Sequence, residues 1–235
     1  MPRSSTAASP ANQVGPKVGN NPMDLASCAL GIFAKAPLPG QVKTRLCPPL
    51  TPEQACEFYA LSLDMTIHNA LQGPWSTTLF YSGAPDYFRE HYPGLPLQPQ
   101  QGDDLGARME HALCRLLADG AEAAALIGSD SPDLPHPLLH EAFQALSLHP
   151  AVVAPSYDGG YVLIGERQHL PELFCDIPWS SPQVLRATHA RARHHAIPLQ
   201  ELNPWEDVDD EPGLRRLIER SPASPCAHLA RQLLS

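Results

Sequence analysis

The sequence predicts an α/β fold with a largely parallel central sheet. Three observations carry that prediction. Short apolar runs alternate along the chain with longer segments of helical period. Charged and polar loops follow the apolar runs, where the carboxyl ends of parallel strands would open. The 235 residues, 43% of them hydrophobic, suffice for one sizeable core, and two full domains are not expected.

The chain opens on residues 1–26, rich in Ser, Ala, Pro, Asn and Gly, which read as a flexible N-terminal tail preceding one domain over 27–235. The first strand is expected at Cys28–Ala34, followed by a loop and a helix over Pro52–Leu71. Thr51 is the expected cap of that helix, with Pro52 in its first turn and Glu53 just inside. Further strands are predicted at Thr77–Tyr81, Ala123–Ile127, Ala151–Pro155, Tyr161–Gly165 and Ile197–Leu199. A helix is predicted over Asp104–Ala118, with Leu105, Met109, Ala112, Leu113, Leu116 and Leu117 as its apolar face. Helices are also expected at Pro137–Leu148, Pro182–His194, Pro212–Arg220 and Cys226–Leu234. Of the 27 prolines only four fall in the tail, so the domain is rich in stiff connections.

Composition narrows the partners. A net charge of −9 argues against a broad nucleic-acid-binding face, which is usually basic. No run approaches the ~20 apolar residues of a membrane span, and the N-terminus has no signal-peptide core. The six cysteines include no CxxC pair and read as reduced, mostly buried thiols of a cytoplasmic protein.

Three loops can carry chemistry. The first lies in FAKAPLPGQVKTRL, Phe33–Leu46, which holds two of the chain's three lysines, Lys35 and Lys43, with Gly40 and Arg45. Twelve of the thirteen arginines serve elsewhere, so these lysines suggest compact charges set to meet a phosphate. Gly40 would let the backbone approach a ligand. The spacing is not that of a Walker A loop, and no GxGxxG is present. On residues alone, a phosphate cradle and a solvated loop with surface cations both stay open.

The second loop, LIGSDSPDLP, presents Asp130 and Asp133 at a strand tip. A hard divalent cation wants a carboxylate or two plus substrate phosphate, which suits Asp130; Asp133 reads as a starter of the next helix. The third, PSYDGGYVLIG, puts Asp158 in a hairpin turn, and the turn by itself explains Gly159 and Gly160. Later, Asp207, Asp209 and Asp210 cluster before a helix. Its dipole is one reason for acids there and a metal role for Asp209 is the other. His136 and His140 have the i, i+4 spacing of a metal pair but lack an HExxH context and read as surface residues, as do His194 and His195 at a helix end.

Taken in order, FAKAPLPGQVKTRL, QQGDDLGARM, IGSDSPDLP, PSYDGGYVLIG, IPWSS and EDVDDEPGL resemble the DUF2064 family, described as glycosyltransferases of the nucleotide-diphospho-sugar transferase superfamily. The resemblance runs over roughly residues 28 to 220 and departs at Ser181 and Asp210, where Thr is expected. It implies a GT-A fold, a three-layer α/β/α sandwich with a mostly parallel mixed sheet. It also implies that Lys35, Gly40, Lys43 and Arg45 bind nucleotide phosphates and that Asp130 and Asp209 hold Mg2+ or Mn2+. On the same ground Asp158, a candidate base, would face the substrate or acceptor together with Gly159, Gly160, Tyr161 and Trp179. The opening loop is also similar to that of phospholactate guanylyltransferases.

Three functions follow as alternatives. The first is a metal-dependent glycosyltransferase using a nucleotide-diphosphate sugar and an acceptor the sequence does not identify. The second is a nucleotidyltransferase that consumes a nucleoside triphosphate and releases pyrophosphate. The third is a non-catalytic nucleotide-binding domain, which would not need Asp130 and Asp209 together.

Overall fold

The computed structural model describes residues 23–235; most of the expected tail, residues 1–22, lies outside them. Residues 23–26 join the domain. Asp24 accepts a hydrogen bond from the Ala26 amide, and Met23 and Leu25 pack against the core.

Seven strands form one sheet: β1 Cys28–Lys35, β2 Ser76–Ser82, β3 Leu97–Pro99, β4 Ala123–Gly128, β5 Ala151–Pro155, β6 Tyr161–Glu166 and β7 Leu199–Glu201. Their order is β3-β2-β1-β4-β6-β5-β7. All neighbours are parallel except β6, which runs antiparallel to β4 and β5. Period-two alternation sends the strand side chains to opposite faces. Leu30, Ile32, Ala125 and Ile127 pack on one side of the sheet, whereas Ala29, Ala124 and Leu126 pack on the other.

Helices cover both faces, which gives the expected three layers. On the first side lie α1 (Pro52–Ala70), through Leu63 and Ile67, and α4 (His136–Leu146), through Leu139, Phe143 and Leu146. On the second lies α3 (Leu105–Ala118), through Met109, Ala112, Leu113 and Leu116, with Ala192 of α5 (Val184–His194). The helix predicted from Thr51 begins with a full capping box. The Thr51 hydroxyl accepts from the Gln54 amide while the Gln54 side chain accepts from the Thr51 amide.

A third cluster joins Phe58 of α1 to Leu214 and Leu217 of α6 (Glu211–Arg220) and Ala227 and Ala230 of α7 (Pro225–Leu233). Both partners were expected as helices. Among the described residues no helix is long and apolar enough to cross a membrane.

The structure adds β3 and α2 (Pro85–His91), which the sequence pattern does not announce. Each is too short to show a period. The last strand is displaced from Ile197–Leu199 to Leu199–Glu201. The Ile197 amide is still spent on the Ala192 carbonyl at the end of α5, and Ala196 turns the chain at φ 52°, so pairing with β5 starts at Leu199.

His136 and His140 are not free surface residues. Both rings pack on the buried Trp75, with centroids 5.5 and 5.1 Å away. All six cysteines are free thiols, but only Cys28 and Cys226 are buried.

Candidate functional site

β1 and β4 lie side by side and parallel, and the chain order reverses between them. Brought together there, the loops after both strands open into one crevice, the usual ligand site of an open α/β sheet. Because β6 is antiparallel, its first residue, Tyr161, comes to the same end. The resulting cleft has a volume of 670 Å³ and is lined by Lys35, Lys43, Arg45, Asp130, Asp158, Gly160, Tyr161, Trp179 and Asp209, among others.

Two expected site residues are absent from its lining. Gly40 sits on an exposed turn closed by the Gln41 amide on the Leu38 carbonyl, with φ 75° and nothing near a hypothetical side chain. Its glycine is required by the turn that follows Pro39. Gly159, at φ 92°, stands where a Cβ would lie 2.2 Å from the Pro182 carbonyl oxygen. It lets the β5–β6 hairpin press against the loop before α5, and so shapes the wall from behind.

Lys43 is the centre of the site. It adopts a left-handed backbone, φ 46° and ψ 38°, and its side chain is only 3% exposed. The ammonium lies 2.5 Å from Asp130 Oδ1 and 2.8 Å from Asp209 Oδ1. Burial by itself would lower its pKa; the two carboxylates outweigh that and raise it, so the lysine is charged. Arg45 is exposed at 3.9 Å from the other oxygen of Asp209. Lys35, also exposed, lines the cleft at the end of β1.

The two acids are positioned by backbone. The Val208 amide donates to the Asp130 carbonyl at 2.8 Å, which ties the loop before α6 to the end of β4. The same segment is strapped to β5 by the Trp205 amide on the Pro155 carbonyl, 2.9 Å. Asp210 then caps α6 by accepting from the Gly213 amide, 2.8 Å, a task the Thr expected there by resemblance would also perform.

Beneath the cleft, the Tyr59 hydroxyl accepts from the Lys35 amide and shares a hydrogen bond with Ser129, each 2.9 Å. Gln100 donates to the carbonyls of Ala34 and Phe80 and braces the ends of β1 and β2. Neither residue stands out in the sequence. Tyr59 hides within the apolar face of α1, and Gln100 carries no pattern outside its motif. In the sequence Asp207 is one acid of a cluster. It lies in the cleft wall and accepts from the Ser156 hydroxyl at 2.9 Å. Burial and then the negative charge of Asp209 push its carboxyl up to about 6.

The remaining wall is apolar. Trp179 lies against Gly106, where a Cβ would come within 2.4 Å of the indole, and meets Tyr161 edge-on at 6.5 Å. Asp158 accepts from the Gly160 amide at 2.8 Å, so the hairpin turn orients it. Asp133 belongs elsewhere. Rather than starting α4, which has no side-chain cap, it receives both arms of Arg220, at 2.8 and 2.9 Å, and the Ser221 hydroxyl.

Among the described residues no three His, Cys, Asp or Glu side chains converge into a ready-made metal cage. The donor set is instead a pair of partly exposed carboxylates, Asp130 and Asp209, whose oxygens meet at one cation. Magnesium-type sites often use one or two carboxylates and complete the shell with substrate phosphate and water, so the pair fits.

A protein from Desulfovibrio desulfuricans G20 described as a "putative nucleotide-diphospho-sugar transferase" superposes with a TM-score of 0.82 at 30% identity, covering 88% of this chain and 94% of the other. Two more distant structures share the fold. CMP:2-keto-3-deoxy-manno-octonic acid synthetase complexed with CTP superposes with a TM-score of 0.55 at 13% identity, covering 88% and 99%. Rv0371c of Mycobacterium tuberculosis H37Rv in complex with manganese superposes with a TM-score of 0.52 at 18% identity, covering 81% and 97%.

The class so defined is that of the nucleotide-dependent transferases. The family model described as "Uncharacterized protein conserved in bacteria (DUF2064)" matches residues 66–181, and the chain belongs to this family. No curated protein matches the sequence.

Proposed function

We propose that the protein is a metal-dependent transferase that takes a nucleotide-diphosphate sugar as donor and passes the sugar to an acceptor. The observation that carries the reading is the meeting of Lys43, Asp130 and Asp209 at the β1/β4 crevice. Asp130 and Asp209 would hold Mg2+ or Mn2+, which when bound supplies positive charge to the phosphate oxygens of the leaving nucleotide. The manganese complex of Rv0371c, a protein of the same fold, supports this assignment.

Lys43, Arg45 and Lys35 meet the diphosphate, whose negative charge grows as the bond to the sugar breaks. Asp158, held by the hairpin, faces the acceptor and takes its proton as the new bond forms. Tyr161 and Trp179 offer an apolar wall to the transferred group. Gly160 lines the same side, and Gly159 acts by keeping the hairpin in place.

A second reading, nucleotidyl transfer from a nucleoside triphosphate, is favoured by three cations at the end of β1 and in the segment after it, more than a diphosphate requires. A purely binding domain is disfavoured by the paired carboxylates. Thermal shift against a nucleotide panel, with and without Mn2+, separates the readings. A ligand at 100 times its Kd adds about 2.7 kcal/mol of stability. Stabilisation by nucleoside diphosphates and their sugars is the expected result, whereas stabilisation by triphosphates alone selects nucleotidyl transfer.

A further inference from the structure

The carboxylates assigned to a divalent cation already grip a cation that belongs to the chain. Lys43 Nζ contacts the Oδ1 atoms of both Asp130 and Asp209, at 2.5 and 2.8 Å, with a side chain that is 3% exposed. A magnesium-type ion bound by these oxygens at about 2.0–2.1 Å would stand within contact range of the ammonium. Two cations that close repel strongly where water is scarce.

We propose that Lys43 is a built-in occupant of the cation site, competing with the divalent ion for Asp130 and Asp209. The ammonium leaves when a phosphate enters the cleft and offers it another anionic partner. This rests on the cation and phosphate reading of the site given above.

The surroundings allow such an exchange by side-chain motion alone. Val42 and Leu46, on either side of Lys43, are buried at 4% and 0% exposure, so the backbone of the loop is anchored while the lysine side chain retains its rotatable bonds. The carboxylates do not depend on the lysine for their mutual position, since the Val208 amide on the Asp130 carbonyl joins their two segments. Removing the ammonium therefore leaves the pair facing the same space. The consequence is thermodynamic: phosphate, by drawing Lys43 away, tightens cation binding, and the cation tightens phosphate binding by the same factor.

Mn2+ binding to the full-length protein, followed by the electron paramagnetic resonance of the free aqua ion, tests this without reference to turnover. Lys43→Met is expected to bind Mn2+ at least tenfold more tightly than wild type. Arg45→Gln, which also removes one positive charge near Asp209, is expected to change affinity by less than threefold. That contrast separates direct competition from a general change in charge. Lys43→Gln, checked by circular dichroism, provides a second variant should Lys43→Met fold poorly.

Equal or weaker binding in the folded Lys43 variants, with binding still lost in Asp130→Asn, overturns the competition and leaves the cation reading standing. So does an Arg45→Gln effect as large as that of Lys43→Met. Binding that is absent throughout, or untouched by Asp130→Asn, overturns the cation reading and the competition with it.

Discussion

Asp130 and Glu166 show how residue chemistry divides between activity and stability. Asp130→Ala is expected to lose on the order of 100-fold or more in turnover, the usual cost of removing one well-placed electrostatic partner, while circular dichroism shows an intact fold. Normal turnover and normal metal dependence in that variant would end its assignment. Glu166, at the far end of β6, acts on stability instead. It is fully buried, accepts from the Leu170 amide, and lies 4.0 Å from His169, which pairs with Glu110. Burial, with smaller contributions from Glu110 and Glu172, pushes its carboxyl from the ordinary 4.5 up to about 8. Between these values the folded state holds a proton the unfolded chain has lost. Stability therefore falls as pH rises through that window, by at most about 1.4 kcal/mol per pH unit, and levels off above it. Glu166→Gln should match wild type near pH 5 and melt at a higher temperature above pH 8; equal melting at both pH values would refute this.

At the scale of elements, the β5–β6 hairpin and the β4–α6 junction hold the site in shape. Gly159→Ala must accept a left-handed φ and a clash with the Pro182 carbonyl. A loss of about 2 kcal/mol or more is expected in denaturant unfolding, together with weaker substrate binding. Asp133→Ala removes one of the two carboxylates paired with Arg220, the other being Glu206, and should cost about 1.5–3 kcal/mol. A change below 1 kcal/mol would show that the pairing does not secure α6. The same elements show what the sequence revealed. Long periodic helices and apolar strands were legible, because burial imposes a period of 3.6 or 2 on their residues. The three-residue β3 and the seven-residue α2 were not, since neither spans enough residues to repeat. Asp130 and Asp158 stand out because acids at strand ends are conspicuous, and Asp209 because it lies in an acidic cluster before a helix. Tyr59 could not, because its polar role depends on Lys35 and Ser129, residues of other elements that only the fold brings beside it. Gly40 is the opposite case: its local turn by itself accounts for the glycine.

On the scale of the whole molecule, helices on both faces leave the carboxyl ends of β1 and β4 as the open crevice, and loops far apart in sequence meet there. Lys43 and Asp209 are separated by 166 positions yet share a hydrogen bond of 2.8 Å. The central claim is that this meeting point binds nucleotide phosphates together with a divalent cation. It is tested most directly by titrating a nucleoside diphosphate into wild type, Asp130→Asn and Lys43→Met in the presence of Mn2+, with calorimetry as the readout. At least tenfold weaker nucleotide binding in both variants is the predicted result; affinities equal to wild type in both would contradict it.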